Sequence, residues 1–117
     1  MTDKRRRAYR WGQVAEHIAA VSLLLKGYRI VARRYKTPVG EVDLIARRGD
    51  LVVFVEVKAR VTHQAALDSI TGTAQRRIEA AANWWISQQR DGAHLSWRFD
   101  VITVVPRRWP RHHENGW

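Results

Sequence analysis

Asp43, Glu56 and Lys58 carry the side chains of this sequence best suited to chemistry: two carboxylates able to share a divalent cation, and an ammonium able to stabilise negative charge beside it. Their spacing brings them together. A two-residue loop at Gly49-Asp50 between apolar runs reads as a hairpin that pairs Arg48 with Leu51. Counting outward sets Asp43 opposite Glu56 and Glu41 opposite Lys58, and directly opposed residues hold their Cβ atoms within about 5.5 Å. Alternation sends Val42, Leu44, Ala46, Val53, Val55 and Val57 to one face, wholly apolar and therefore core. The other face carries Glu41, Asp43, Ile45, Val52, Phe54, Glu56 and Lys58. A one-residue slip would part Asp43 from Glu56, so the apolar pattern specifies the register.

Like charges side by side destabilise a sheet, and Glu56 sits inside the apolar run Val52–Val57, where a lone carboxylate is costly. A divalent cation removes both problems, since Mg²⁺ takes one or two carboxylates and keeps several waters. Lys58 emerges on the same face, where it can orient water and stabilise phosphate charge. The spacing alone admits a second reading, a solvated polar face on which Lys58 neutralises Glu41 or Glu56. Glu16 poses the same choice. Its helical neighbours Gly12, Ala19, Ala20 and Leu23 are small or apolar, so it either assists a site or finds an arginine partner from the sheet.

The elements that must position these residues follow from periodicity. Trp11, Val14, Ala15, Ile18, Val21 and Leu25 keep helical spacing, predicting a helix over 9–26 stopped at Gly27, preceded by a solvated basic arm at 1–8. Strands are expected at Tyr28–Lys36, Glu41–Arg48, Leu51–Arg60 and Ser96–Val105. The turn Thr37–Gly40 joins the first two, and residues 61–73 form a loop with room for a short helix. A second helix spans Ala74–Gln89, and Pro106 and Pro110 end regular structure in a basic tail, 106–117. The order α-β-β-β-α-β predicts one α/β domain over 1–117, a single mixed β-sheet flanked by helices.

Charge narrows the partner. There are 21 Lys and Arg against 11 Asp and Glu, a formal net charge of +10, which draws polyanions at long range. Zero cysteines exclude disulfides, thiolate metal sites and cysteine nucleophiles. No apolar run reaches the ~20 residues of a membrane span, and no secretory leader is legible, so a cytoplasmic chain is expected.

The stretch Gly40-Glu41-Val42-Asp43-Leu44-Ile45-Ala46 with Val53-Phe54-Val55-Glu56-Val57-Lys58-Ala59-Arg60 resembles the YraN family, an uncharacterised protein family. That family in turn resembles the PD-(D/E)xK nucleases and archaeal Holliday junction resolvases. Gly12 and Glu16, Gly27-Tyr28, Gln75-Arg76-Arg77 and Arg98-Phe99-Asp100-Val101 extend the likeness over nearly the whole chain. It departs at Ala15, where the family often has Gly, at Arg34, where Asn is common, and at Ala74, where Lys is common.

The resemblance implies a restriction-endonuclease-like fold and an endonuclease that hydrolyses structured or branched DNA with Mg²⁺ or Mn²⁺. Asp43, Glu56 and the Val57 carbonyl would be the metal ligands and Lys58 the catalytic lysine. Glu16 would assist from the helix, and Gln75 would stand near the site. Arg33, Arg34, Lys36, Arg60, Arg76 and Arg77 are the expected phosphate contacts. A non-catalytic DNA-binding or adaptor module retaining the same fold is the alternative. A homodimer is allowed and no membrane partner is expected.

Four further features complete the expectation. Of Trp84 and Trp85, one packs inward while the other stays partly exposed. Arg47 and Arg48 lie at a sheet end as phosphate contacts or solvated charges. Asp100 is expected to partner an arginine rather than a metal. His112, His113 and Glu114 read as a solvent-exposed tail.

Overall fold

The computed structural model describes residues 2–117. Helix α1 runs Asp3–Leu25. Thr2 caps it by accepting from the Arg5 amide, and Asp3 complements the positive helix start. The basic segment expected as an arm is therefore helical from Asp3 onward, its Lys4–Arg7 run exposed on the first turns, while Met1 lies outside the described residues. Gly27, at φ 87, ends the helix in the left-handed conformation that glycine adopts without strain.

Strands β1 (Arg29–Lys36), β2 (Glu41–Arg48) and β3 (Leu51–Ala59) form an antiparallel meander. Helices α2 (His63–Asp68) and α3 (Gly72–Ser87), capped by Thr62 and Thr71, carry the chain over to β4 (Ser96–Val104). Strand β4 lies parallel to β3, pairing Lys58 with Thr103. The sheet is mixed, in the order β1-β2-β3-β4-β5, and helices flank it: the predicted α/β architecture with α2 resolved inside the expected loop.

The added strand β5 (Arg111–His113) corrects the tail expectation. It pairs antiparallel with β4, and Trp117 stacks on Phe99 with ring centroids 5.6 Å apart while donating to Glu79. His112 is nearly fully buried and donates to Asp100 at 2.6 Å. Asp100 itself is completely buried, bound by Arg98 through two bonds of 2.7 and 2.8 Å and by the Asn115 amide. It is a structural partner for an arginine, as expected, and it is also what draws the tail inward.

Both faces of the sheet are dry. Leu44, Ala46, Val53, Val55, Ile102 and Val104 pack beneath α1 through Ala15, Ala19 and Leu23. Ile45, Val52 and Phe54 pack beneath α3 through Ile78, Ala82 and Trp85. Trp85 is the inward tryptophan, edge-on to Phe54, and Trp84 is the exposed one. Gly40 permits the closest approach of hairpin and helix, since a Cβ there would collide with the Arg77 carbonyl. Among the described residues, no helix is long and apolar enough to cross a membrane.

Candidate active site

The β2–β3 ladder begins as counted, Arg48 with Leu51, and runs to Leu44 with Val55. There it stops. Val42 was expected on the face of Leu44, yet it joins the cluster beneath α3 while Leu44 joins the one beneath α1. Alternation is thus broken at Asp43. The cause lies one strand over: Arg34 has φ 50, and Tyr35, opposite Val42, turns under α3 with it. A left-handed residue inside a strand twists the hairpin end and costs roughly 1–3 kcal/mol when it is not glycine. Asn tolerates that conformation better than Arg does.

The twist frees Asp43 from the ladder. Its Oδ2 accepts a 2.8 Å hydrogen bond from the Val57 amide across the gap. Glu56 faces the same gap. Burial first, then the neighbouring Asp43 carboxyl through hydrogen bonding and charge, push the Glu56 carboxyl up to about 9, against a partial offset from Lys58. Two carboxylates this close disfavour ionisation of Glu56, on top of the cost of its burial.

A cleft of about 420 Å³ opens over these groups, lined by Gly12 and Glu16 of α1 and by Asp43, Glu56, Lys58 and Arg60. Val57 also lines it. A neighbouring hollow shares Gly12, Glu16 and Asp43 and adds Arg34, Lys36 and Glu41. Gly12 is the bare point of the helical wall, where a Cβ would meet nothing within 4 Å.

The remaining expected residues divide. Glu16 has an arginine partner from the sheet, Arg34, at 2.8 Å, and that pair stands at the cleft edge. The Glu16 carboxylate raises the Arg34 guanidinium's pKa through its hydrogen bond and charge. Arg77 grips Glu41 at 2.6 Å, and this contact holds the Glu41 carboxyl below its ordinary range. Arg33 contacts the His17 ring and Arg76 contacts Thr73, both exposed and outside the cleft. Gln75, half-buried on α3, does not line the cleft either. Arg47 is held by Asp50 and Asp91, while Arg48 lies 4.4 Å from the Tyr28 ring centre and bonds the Lys26 carbonyl; both have structural work.

One cluster was not anticipated. The buried Thr103 hydroxyl bridges His63 at 2.6 Å and His113 at 3.0 Å. Burial and the nearby Arg111 hold both imidazoles below their ordinary pKa. A lone hydroxyl inside the apolar run Val101–Val105 was the available signal, since Thr103 there needs a partner.

The donor set suits a hard cation. Among the described residues no group of three or more Asp, Glu, His or Cys side chains is gathered around one point, so a cation here would take its side-chain ligands from the Asp43–Glu56 pair. Two carboxylates, a carbonyl and water satisfy Mg²⁺, which seldom uses an all-protein cage. Oxygen-only donors beside an ammonium would serve neither zinc nor copper as well.

Comparison with known proteins places these residues in a family. The model of "Uncharacterised protein family UPF0102" matches residues 15–104. A UPF0102 protein of Chelativorans is 61% identical over 111 residues, covering 95% of this chain and 90% of the relative. One from Brucella canis is 58% identical over 96% of this chain and 89% of its own length, and one from Rhizobium johnstonii is 53% identical over 96% and 92%. The matched span contains Glu16, Arg34, Asp43, Glu56 and Lys58, and on this evidence the chain belongs to the uncharacterised family UPF0102, also called YraN.

Proposed function

We propose that this protein is a Mg²⁺- or Mn²⁺-dependent endonuclease acting on structured or branched DNA. The observation that carries the reading is the Asp43–Glu56 pair: two acids held face to face at a break in the sheet, beside Lys58, in a cleft on a strongly basic chain. A pure DNA binder gains nothing from acids pointed at a polyanion.

Asp43, Glu56 and the Val57 carbonyl would hold the cation, which when bound neutralises phosphate charge and acidifies water. Lys58 places its ammonium beside the scissile phosphate and stabilises the charge that grows there. Val57 holds Asp43 in position through its amide. The Arg34 guanidinium keeps Glu16 at the cleft edge, where Glu16 orients water by hydrogen bonding. Arg60, Lys36 and the exposed Arg33 and Arg76 supply phosphate contacts.

The test is cleavage of labelled duplex, flap and four-way-junction DNA with and without Mg²⁺ or Mn²⁺, beside calorimetric metal titration. Lys58→Ala is expected to lose cleavage and keep cation binding, because an ammonium does not ligate. DNA affinity is expected to fall steeply with salt, and Arg33→Ala or Arg76→Ala to flatten that slope by roughly one unit each. A wild-type chain that cuts none of these substrates and binds no divalent ion with DNA present is instead an adaptor module on the same fold.

A further inference from the structure

A hollow of about 390 Å³ opens where β3 has ended, and it shares no residue with the cleft. Arg60 lines the cleft, and the residues that follow it, Val61 to His63, line this hollow. Arg108 and Arg111, from the turn between β4 and β5 and from the start of β5, line it as well. His63 is fixed by the fully buried Thr103, whose hydroxyl meets His63 Nδ1 at 2.6 Å and His113 Nε2 at 3.0 Å.

The charges gathered here are positive and unmatched. Arg34, Arg47, Arg77 and Arg98 each hold a carboxylate. Among the described residues Arg108 and Arg111 hold none, and both are exposed. No Asp or Glu lines the hollow, and Asp68, the acid of α2, is occupied by Gln64. On the β3 side stand Lys58, paired with Thr103, and then Arg60, both cationic. The His63 pKa registers this field: burial lowers it first, and Arg111, His113 and Arg108 lower it further.

We propose that this hollow is a phosphate-binding site, taking a phosphodiester of the nucleic-acid strand that leaves the cleft past Arg60. It rests on the nucleic-acid part of the proposed function, and on neither metal nor cleavage.

The donors select the ligand. Two guanidinium forks and a protonated imidazole donate N–H bonds and accept none, so the occupant is an anion with more than one oxygen. Thr103 limits the histidine pair to one extra proton. Its single O–H donates to one ring while its oxygen accepts from the other. With His63 protonated, Nδ1–H donates to Thr103 and the hydroxyl donates to neutral His113. A second proton would aim that hydroxyl at a donor. His63 is the ring that lines the hollow, and its Nε2 has no partner among the described residues. A bound anion reverses the sign of the local field and favours the His63 proton. By reciprocity, the anion binds the protonated ring more tightly.

The chain has five histidines, so their ring signals in nuclear magnetic resonance can be assigned by single substitutions. The probe is a thymidine tetranucleotide in EDTA, whose diesters and bases keep one charge across about pH 5 to 8, the range in which histidine titrates. At saturation the His63 midpoint is expected to rise by about one pH unit, which corresponds to roughly tenfold tighter binding to the protonated ring. The exposed His94, beyond the opposite end of β4, is expected to move little. Arg108→Gln and Arg111→Gln are each expected to raise the His63 midpoint in the unbound chain and to weaken the probe's effect severalfold, with melting unchanged. A purely structural role for these arginines would give neither effect.

A saturating probe that shifts His63 no more than His94 overturns the site. Tetraglutamate acting at the same concentration also overturns it, since carboxylates then serve as well as phosphates. Inorganic phosphate acting at lower concentration than the tetranucleotide assigns the hollow to a free phosphate and overturns the strand. Asp43→Asn, which disables the cleft, is expected to leave the His63 response intact. A chain that cuts nothing yet keeps that response retains the site, and a chain that cuts DNA without it loses the site alone.

Discussion

The Asp43 carboxylate and the Val57 backbone amide are joined by a 2.8 Å hydrogen bond that stands where the β2–β3 ladder has ended. A side chain has taken over an amide that strand pairing would otherwise engage, so Asp43 is both structural acceptor and candidate ligand.

The two roles separate by substitution. Asp43→Asn keeps an acceptor for the Val57 amide and is expected to melt within a few degrees of wild type. Asp43→Ala leaves that amide unpaired and is expected to cost roughly 1–2 kcal/mol. Both lose divalent-cation binding, and Asp43→Asn binds DNA without metal as well as wild type or more tightly, because a charge facing the phosphates is gone. Thermal melts and metal-free gel shifts read the two effects independently.

Glu56 makes stability fall with rising pH. Its folded-state pKa is raised to about 9 from an ordinary value near ~4.3, so the folded chain binds the proton more tightly than the unfolded one. The contribution is complete below the unfolded pKa and is lost progressively as pH climbs through about 9. Glu56→Gln, which keeps the uncharged form, is expected to raise the melting temperature in EDTA by several degrees at pH 8 and by little at pH 4.5. Added Mg²⁺ is expected to narrow that gap for wild type alone, since metal binding requires release of the proton.

Asp100 behaves with the opposite sign. Burial opposes its ionisation, but hydrogen bonds from His112, Arg98 and Asn115 outweigh this and hold it at about 2. Its stabilisation is present above the unfolded carboxylate range and fades as pH falls through about 2. Asp100→Asn takes the buried anion from Arg98 and frees His112, with an expected cost of about 3–5 kcal/mol and a tail that becomes sensitive to protease.

Gly12 tests the cleft wall directly. A glycine inside a helix costs about 1 kcal/mol against alanine, and a Cβ here meets nothing, so Gly12→Ala is expected to stabilise the fold by roughly that amount. Gly12→Leu is expected to remain folded while weakening DNA binding severalfold, by filling space a phosphate backbone enters. Equal affinity in melts-matched samples would show that nothing enters beside Gly12.

The hairpin was legible because a two-residue loop and apolar residues on both flanks leave a single register for Leu44 and Val55. The break at Asp43 was not, because its cause is the left-handed backbone of Arg34, a residue type that does not announce positive φ. The helical start was readable in Thr2 and Asp3, yet four consecutive like charges at Lys4–Arg7 repel and disguised it. Strand β5 is three polar residues without alternation. Its evidence lay at a distance, in an aspartate set within the apolar strand 99–104 and needing more hydrogen-bond donors than Arg98 alone.

Asp43, Glu56 and Lys58 ride on one hairpin, which gives their assembly an order in time. Hairpins close in about 1–10 μs, far ahead of pairings that span long stretches of chain. The two acids are therefore tethered close together before the layers above and below them exist, although their arrangement beyond Leu44 also awaits β1 and its turn at Arg34. A two-stranded ribbon is marginal by itself, and this one begins under local frustration. Its register becomes permanent only when β4 arrives through α2 and α3 and lays Lys58 against Thr103. The chemistry is thus brought together first and secured last, and the slow step that secures it is the one parallel pairing in the sheet.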